Sequence, residues 1–142
     1  MSFKDGEITP DPDEGKAIPV SSHLIKATKD DTRGAYSLLE VNVTGGGPPQ
    51  HIHHAEEEAF YVLEGEVNIK IGEQTISGTV GSFVVIPRGI VHTFWNVRPT
   101  PAKLLVIFSP PGFEQFFFEN VVDEEIDIAK KYNIEVVGPP LG

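Results

Sequence analysis

Short runs of β-branched and aromatic residues fill the chain between residues 18 and 108. Glycine, proline and aspartate, which are typical of turns, separate these runs at sites such as residues 30–31, 45–49 and 87–89. This spacing predicts an antiparallel sandwich or barrel made of many short strands. Eight strands are expected, near residues 23–27, 36–43, 59–63, 66–71, 74–77, 83–86, 92–97 and 103–108.

A different pattern follows the last predicted strand. Phe113, Phe116 and Phe117 recur at helical spacing. The segment DEEIDIAKKYN at residues 123–133 starts with acidic residues and ends near two lysines, which is the charge order that a helix dipole favours. Two short helices are therefore expected to close the domain. Residues 134–142 are predicted to be extended.

The length of 142 residues suits one domain with a substantial core. Residues 1–19 lack periodicity and are predicted to be either a loose terminus or an arm that lies on a partner subunit. Residues 20–118 form the predicted barrel. Residues 119–142 form the predicted C-terminal helix and tail.

Charge and cysteine content narrow the range of functions. With 11 Lys and Arg against 21 Asp and Glu, the net charge of −10 would repel a nucleic-acid backbone or an anionic membrane surface. No apolar run approaches the ~20 residues that span a bilayer, and the acidic N-terminus lacks the apolar stretch of a signal peptide. A cytoplasmic protein is therefore expected, and a small molecule is a better candidate partner than nucleic acid or a membrane. Because cysteine is absent, any metal must be held by histidine, carboxylate or amide oxygen.

The stretch HIHHAEEE at residues 51–58 concentrates histidine and glutamate. In a strand, His51 and His53 would project to the same face, as two ligands of one metal ion require. Exposed loops also carry such pairs by chance, so this stretch alone leaves both a solvated loop and half of a metal site open. A second stretch, GSFVVIPRGIVHTFWN at residues 81–96, places His92 in a predicted strand.

The two stretches together fit two spaced patterns. These are Gly45-x5-His51-x-His53-x4-Glu58-x6-Gly65 and Gly81-x5-Pro87-x-Gly89-x2-His92-x3-Asn96. They resemble the two signature motifs of the cupin superfamily, and every defining position is filled. The resemblance implies an all-β fold, an antiparallel double-stranded β-helix or jelly-roll cupin barrel, here with one or two short C-terminal helices. It also implies a homodimer and a metal site formed by His51, His53, Glu58 and His92.

The carboxylate ligand has to be chosen among three adjacent glutamates. Strand alternation alone favours Glu57, because it would share a face with His51 and His53 in an unbroken strand. The family pattern instead selects Glu58 and requires a bend or bulge within residues 54–57. We therefore expect Glu58 to be the ligand, with Glu57 as the alternative. The glutamates that do not bind metal are expected on a solvated rim, and Glu56 is one of them.

Three imidazoles and one carboxylate suit a divalent transition metal, which could be Fe, Mn, Ni, Cu or Zn. Four protein ligands leave open coordination positions, as a catalytic site requires. Glu58 is the expected catalytic residue, because it could leave the metal and accept a substrate proton. The predicted substrate pocket comprises Gln50, Phe60, Val62, Phe94 and Phe108. The four apolar residues could instead pack in the core of the barrel. The amide of Gln50 could instead form a hydrogen bond with the backbone.

Small bacterial cupins that are described as quercetin dioxygenase-like are similar to this chain, including a Gly-Phe-Glu-x-Phe-Phe-like segment at residues 112–117. This likeness implies oxygen-dependent cleavage of an enediol, phenolic or flavonol-like substrate. The same four ligands would serve a metal-assisted isomerase or decarboxylase equally well. A non-catalytic module that binds a small ligand is the third possibility.

Overall fold

The computed structural model describes residues 3–4, 7–8, 11–12, 14–17, 23–119 and 129–142. The strands in these ranges are β1 (Phe3–Lys4), β2 (Glu7–Ile8), β3 (Lys16–Ala17), β4 (His23–Ala27), β5 (Ser37–Val43), β6 (Gln50–His53), β7 (Glu57–Glu64), β8 (Val67–Ile71), β9 (Gln74–Gly78), β10 (Phe83–Ile86), β11 (His92–Trp95), β12 (Ala102–Ser109) and β13 (Ile134–Gly138). A 3-10 helix spans Phe113–Phe118, and residues 129–131 are helical. Among the described residues, no helix is long and apolar enough to cross a membrane.

Two antiparallel sheets face each other. The larger has the strand order β10-β7-β12-β5-β4-β3, and the smaller has the order β13-β6-β11-β8-β9. The chain passes repeatedly from one sheet to the other, so each sheet combines strands that are distant in sequence. This arrangement confirms the predicted all-β, antiparallel double-stranded β-helix.

Each of the eight predicted strands is present, with small differences at the ends. The pattern does not predict the short strands β1, β2 and β3, nor β6 or β13. β6 has only four residues, two of them histidine, and therefore lacks the apolar alternation that marks a half-buried strand. The tail is extended as predicted, but β13 also pairs with β6 along the edge of the smaller sheet. Of the second predicted helix, residues 123–128 lie outside the described residues.

Alternating burial builds the core between the sheets. In β5 and β12, every second residue is buried, which follows from the two-residue period of a strand. Phe60, Val62, Ile69 and Leu104 are among the side chains that water does not reach. The outer face keeps exposed apolar residues such as Phe83. The predicted homodimer and the domain boundaries stay predictions.

A glycine-rich loop fixes the position of β6 against β11. A Cβ atom on Gly47 would lie 1.7 Å from the carbonyl oxygen of Phe94, so only glycine permits this close approach. The hydroxyl of Thr93 donates a hydrogen bond to the carbonyl oxygen of Pro48, with 2.6 Å between the oxygens. The loop therefore holds the first histidine strand beside the second.

Candidate metal centre

Three histidines come together on the inner face of the smaller sheet. His51 and His53 lie two residues apart on β6, and His92 on β11 pairs directly with His51. All three are buried. The alternation of side chains in β6 therefore produces the shared face that the sequence predicts.

A bend supplies the carboxylate from the opposite sheet. β6 ends at His53, residues 54–55 bend, and β7 begins at Glu57 in the larger sheet. This crossing turns Glu58 inward, while Glu57 is exposed. The Oε2 atom of Glu58 lies 3.2 Å from Nε2 of His53. The structure thus places Glu58, and not Glu57, beside the histidines.

One ligand atom from each of His51, His53, Glu58 and His92 lies within 4.8 Å of the other three. Two of the four atoms, Oε2 of Glu58 and Nε2 of His92, are buried and have no hydrogen-bond partner among the described residues. Burying unpaired polar atoms is costly, and a bound cation would remove that cost. The four residues could therefore hold a metal ion, and their donor atoms fit the divalent transition metals that the sequence predicts.

Backbone carbonyls set the tautomers of two histidines. Nδ1 of His51 donates a hydrogen bond to the carbonyl oxygen of Pro49, at 2.6 Å, and Nδ1 of His92 donates to that of Ile90, at 2.9 Å. A carbonyl oxygen only accepts hydrogen bonds, so the proton of each neutral ring sits on Nδ1. Each Nε2 then presents a lone pair to the cluster, which is the form that binds metal.

The prediction that Glu56 lies on a solvated rim is wrong, because its side chain is buried. Its Oε1 atom lies 2.7 Å from Nδ1 of His53, which donates a hydrogen bond to it. The bend after His53 turns Glu56 back towards that ring. Sequence reasoning missed this contact; a glutamate three residues after a candidate ligand was the available signal.

The two carboxylates and the imidazoles shift one another's protonation. Burial lowers the pKa of His53, but the hydrogen bond to Glu56 and the nearby negative charge of Glu58 outweigh it and raise the pKa to about 9. Burial raises the pKa of Glu58, yet the nearby His53 and His92 imidazoles hold it well below its ordinary value. For His51, burial and then the neighbouring His92 lower the pKa to about 4. Without metal, His53 is the histidine that holds the extra proton.

A cavity of about 370 Å³ lies between the sheets, and His51, His53 and Glu58 form part of its wall. Most of the remaining wall is apolar. Residues of this wall include Leu39, Val41, Phe94, Val106, Phe108 and Phe113. A ligand in the cavity would therefore meet His51, His53 and Glu58 on one side and hydrocarbon on most others.

The predicted pocket residues divide into two groups. Phe94 and Phe108 line the cavity. Phe60 and Val62 lie outside its described lining, because their side chains fill the core. Gln50 also lies outside it. Its amide donates to the carbonyl oxygen of Pro139 at 3.0 Å and accepts from the Lys70 ammonium at 2.6 Å, which ties β6 to the C-terminal tail and to β8.

The phenylalanine-rich segment both packs on the barrel and lines the cavity. Phe113 is buried, and its ring meets that of His53 edge to face at 4.4 Å between centroids. Phe116 and Phe117 line the cavity wall. The fully buried carboxylate of Glu114 anchors the segment, because it accepts hydrogen bonds from the backbone N–H groups of Lys29 and Gly112, each at 2.7 Å.

The family model of the cupin domain matches residues 38–108, which include all four residues of the cluster. The chain belongs to the cupin family. The match confirms the resemblance to cupins that the two spaced motifs indicate. The bend at residues 54–55 lies within the matched residues.

Curated relatives of the cupin include proteins named as a dioxygenase and as an oxidase. An uncharacterised protein of Streptomyces coelicolor is 36% identical over 78 residues, which cover 55% of this chain and 69% of that protein. Quercetin 2,3-dioxygenase of Bacillus subtilis is 29% identical over 100 residues, which cover 67% of this chain and 28% of the enzyme. An oxalate oxidase of Triticum aestivum is 29% identical over 116 residues, which cover 63% of this chain and 52% of the enzyme. The cupin thus spans about half or less of the two named enzymes.

Glu56→Gln should weaken metal binding without abolishing it. The carboxylate of Glu56 orients His53 and increases the electron density on its ring, and loss of such a partner typically costs about 10–100-fold in metal affinity. Titration against a chromophoric chelator would measure the change. Glu57→Gln, at an exposed position of the same stretch, is the control and should bind metal as the parent does. If the two variants bound metal with equal affinity, Glu56 would not contribute to metal binding.

Metal binding should release a proton and strengthen as pH rises from 6 to 8. Because the pKa of His53 is raised to about 9, the metal-free ring is protonated at neutral pH, and metal must displace that proton from Nε2. Affinity should therefore rise by about tenfold per pH unit in this range, and the rise should level off above pH 9. Calorimetry in two buffers of different ionisation heat would count the released protons. An affinity that does not change with pH would contradict this protonation state.

Proposed function

We propose that this cupin is a metal-dependent enzyme that uses dioxygen to cleave a flat enediol, phenolic or flavonol-like substrate. The observation that carries the proposal is the position of the four-residue cluster at the wall of an apolar cavity. Ligands that come from the wall leave the cavity side of a bound ion free for substrate. The named relatives, a quercetin dioxygenase and an oxalate oxidase, support oxygen chemistry over other uses of the same ligands.

Each residue of the cluster has a defined role in the proposal. His51, His53 and His92 supply neutral Nε2 atoms, and Glu58 supplies a carboxylate. A bound Fe, Mn, Ni, Cu or Zn ion would supply Lewis acidity, and a redox-active one would also supply electrons for dioxygen. Glu58 lines the cavity as well as the cluster, so it can accept the hydroxyl proton of a substrate that binds there.

The apolar wall explains the preference for a flat substrate. Phe94, Phe108 and Phe113 present aromatic surface to the cavity. Such a wall excludes water from the reacting atoms and stacks on aromatic rings. It offers few partners for the hydroxyls of a free sugar, and burying unpaired hydroxyls costs binding energy.

Oxygen uptake by the metal-loaded protein tests this function. The chain would be loaded separately with Fe(II), Mn(II), Ni(II) and Cu(II), and supplied with quercetin, a catechol or an enediol in an oxygen electrode. We expect uptake with at least one pairing, loss of uptake in Glu58→Gln, and retention in Glu57→Gln. Metal-loaded protein that consumed no oxygen with any probe would overturn the proposal. Turnover without oxygen would instead favour an isomerase or decarboxylase.

A further inference from the structure

The cavity opens to solvent beside β13. Most of its described lining residues are buried or half-buried, and the exposed ones are Asn42, Thr44, Gly46 and Val136. Three of these lie at the end of β5 and in the loop that follows it, and Val136 lies on β13. The mouth of the cavity therefore runs between this loop and β13.

Val136 is the apolar residue of this mouth. Its side chain is 58% exposed, although it lines the cavity. It pairs across the ladder between β13 and β6 with His51, which is only 7% exposed. Residues that lie directly opposite each other in antiparallel strands project to the same face, with Cβ atoms about 4.5–5.5 Å apart. Val136 therefore stands beside a residue of the metal cluster, at the point where the cavity meets solvent.

The neighbouring residues of β13 alternate as this orientation requires. Ile134 pairs with His53, which faces the cavity, and it lines the cavity too. Glu135 projects to the other face, where its Oε1 atom lies 3.0 Å from Nε2 of the exposed His54. The inner face of β13 therefore gives one side of the mouth an apolar surface.

Hydrogen bonds fix β13 at both ends. Before the strand, the backbone N–H of His54 donates to the carbonyl oxygen of Asn133 at 3.1 Å. After it, the side-chain amide of Gln50 donates to the carbonyl oxygen of Pro139 at 3.0 Å. The mouth therefore has a rigid edge, and β13 lies outside the residues that the family model matches.

We propose that Val136 is a specificity-determining residue, which forms the lip of the cavity mouth and limits the size of the molecule that reaches the metal centre. The inference rests on the proposed function, because the flat substrate proposed there would pass this lip edge-on. A molecule that enters beside Val136 meets the metal cluster at once, since the next side chain across the ladder is that of His51. A larger side chain at position 136 should exclude a flat molecule of several rings and still admit a molecule of a few atoms.

Two probes of different size test this role on cobalt-loaded protein in the absence of oxygen. Azide is a small linear metal ligand, and 3-hydroxyflavone is a flat metal chelator with several rings. Stopped-flow absorbance would give the association rate of each probe. Val136→Trp narrows the mouth. Val137→Trp is the matched control, because it places the same side chain at the next position, which is also exposed but lies outside the described lining.

We expect Val136→Trp to slow the association of 3-hydroxyflavone by about tenfold or more, because the indole must move aside before the rings enter, and association that requires a conformational change is slower. Azide should bind to this variant at the rate of the parent. Val137→Trp should match the parent with both probes, and both variants should keep the metal content of the parent.

Equal rates of 3-hydroxyflavone association in the two variants, or a parent that does not bind this probe, would overturn the assignment. Loss of metal from Val136→Trp, or equal slowing of azide, would overturn it as well, because Val136 would then act through His51. These measurements exclude oxygen, so their outcomes are distinguishable from a failure of oxygen uptake.

Discussion

Replacing His92 with alanine should lower metal affinity by more than about 100-fold. A loss of about 100-fold is the upper end of the range for removing a group that only orients a metal ligand. His92 is fully buried, and its Nε2 atom has no hydrogen-bond partner among the described residues. That atom points at the cluster because Nδ1 donates to the carbonyl oxygen of Ile90. Alanine removes a ligand that water cannot replace without entering the core. Metal content after gel filtration and competition with a chromophoric chelator would both report the loss.

His54→Ala is the matched control for this experiment. His54 belongs to the same histidine-rich stretch, but it is exposed, and its Nε2 atom lies 3.0 Å from a carboxylate oxygen of Glu135 on the outside of the barrel. This variant should keep the metal affinity of the parent. If His92→Ala bound metal as well as His54→Ala, the buried cluster would not be the metal site.

Metal loading should stabilise the folded chain by about 4 kcal/mol when free metal is about 1,000 times the dissociation constant. The folded chain holds three buried imidazoles and the Glu58 carboxylate close together, and the unfolded chain has no such preformed site. Denaturant unfolding of chelator-treated and reloaded protein would measure the difference. At the same metal concentration the metal-dependent shift should fall to about 1.4 kcal/mol or less in His92→Ala, whose affinity is expected to be more than about 100-fold lower. An equal shift in that variant would show that the metal stabilises the chain from another place.

The fold follows from sequence to a large extent because its strands carry strong local signals. β5 and β12 alternate buried apolar residues with less buried ones, and the glycines and prolines between strands mark the turns. β13 carries no such signal. Its central residues are exposed, and it exists as a strand because β6 offers it a free edge. That edge is a property of the assembled sheet.

The four residues of the cluster could also be predicted, because the two spaced motifs resemble those of cupins and the resemblance implies this ligand set. Strand alternation alone would have selected Glu57, and the choice of Glu58 depended on the resemblance to the cupin motif, which implies a bend; in the structure the chain changes sheets after His53. Glu56 and Val136 could not be assigned in this way. Glu56 becomes buried only through the bend, and Val136 reaches the cavity from β13, which lies far from β6 in sequence.

The most direct test of the metal centre is the metal content of the chain, purified without a chelating tag and measured by mass spectrometry. We expect about one transition-metal ion per chain, bound by His51, His53, Glu58 and His92, either as purified or after reconstitution. A chain that stayed metal-free after reconstitution, while folded, would contradict this expectation.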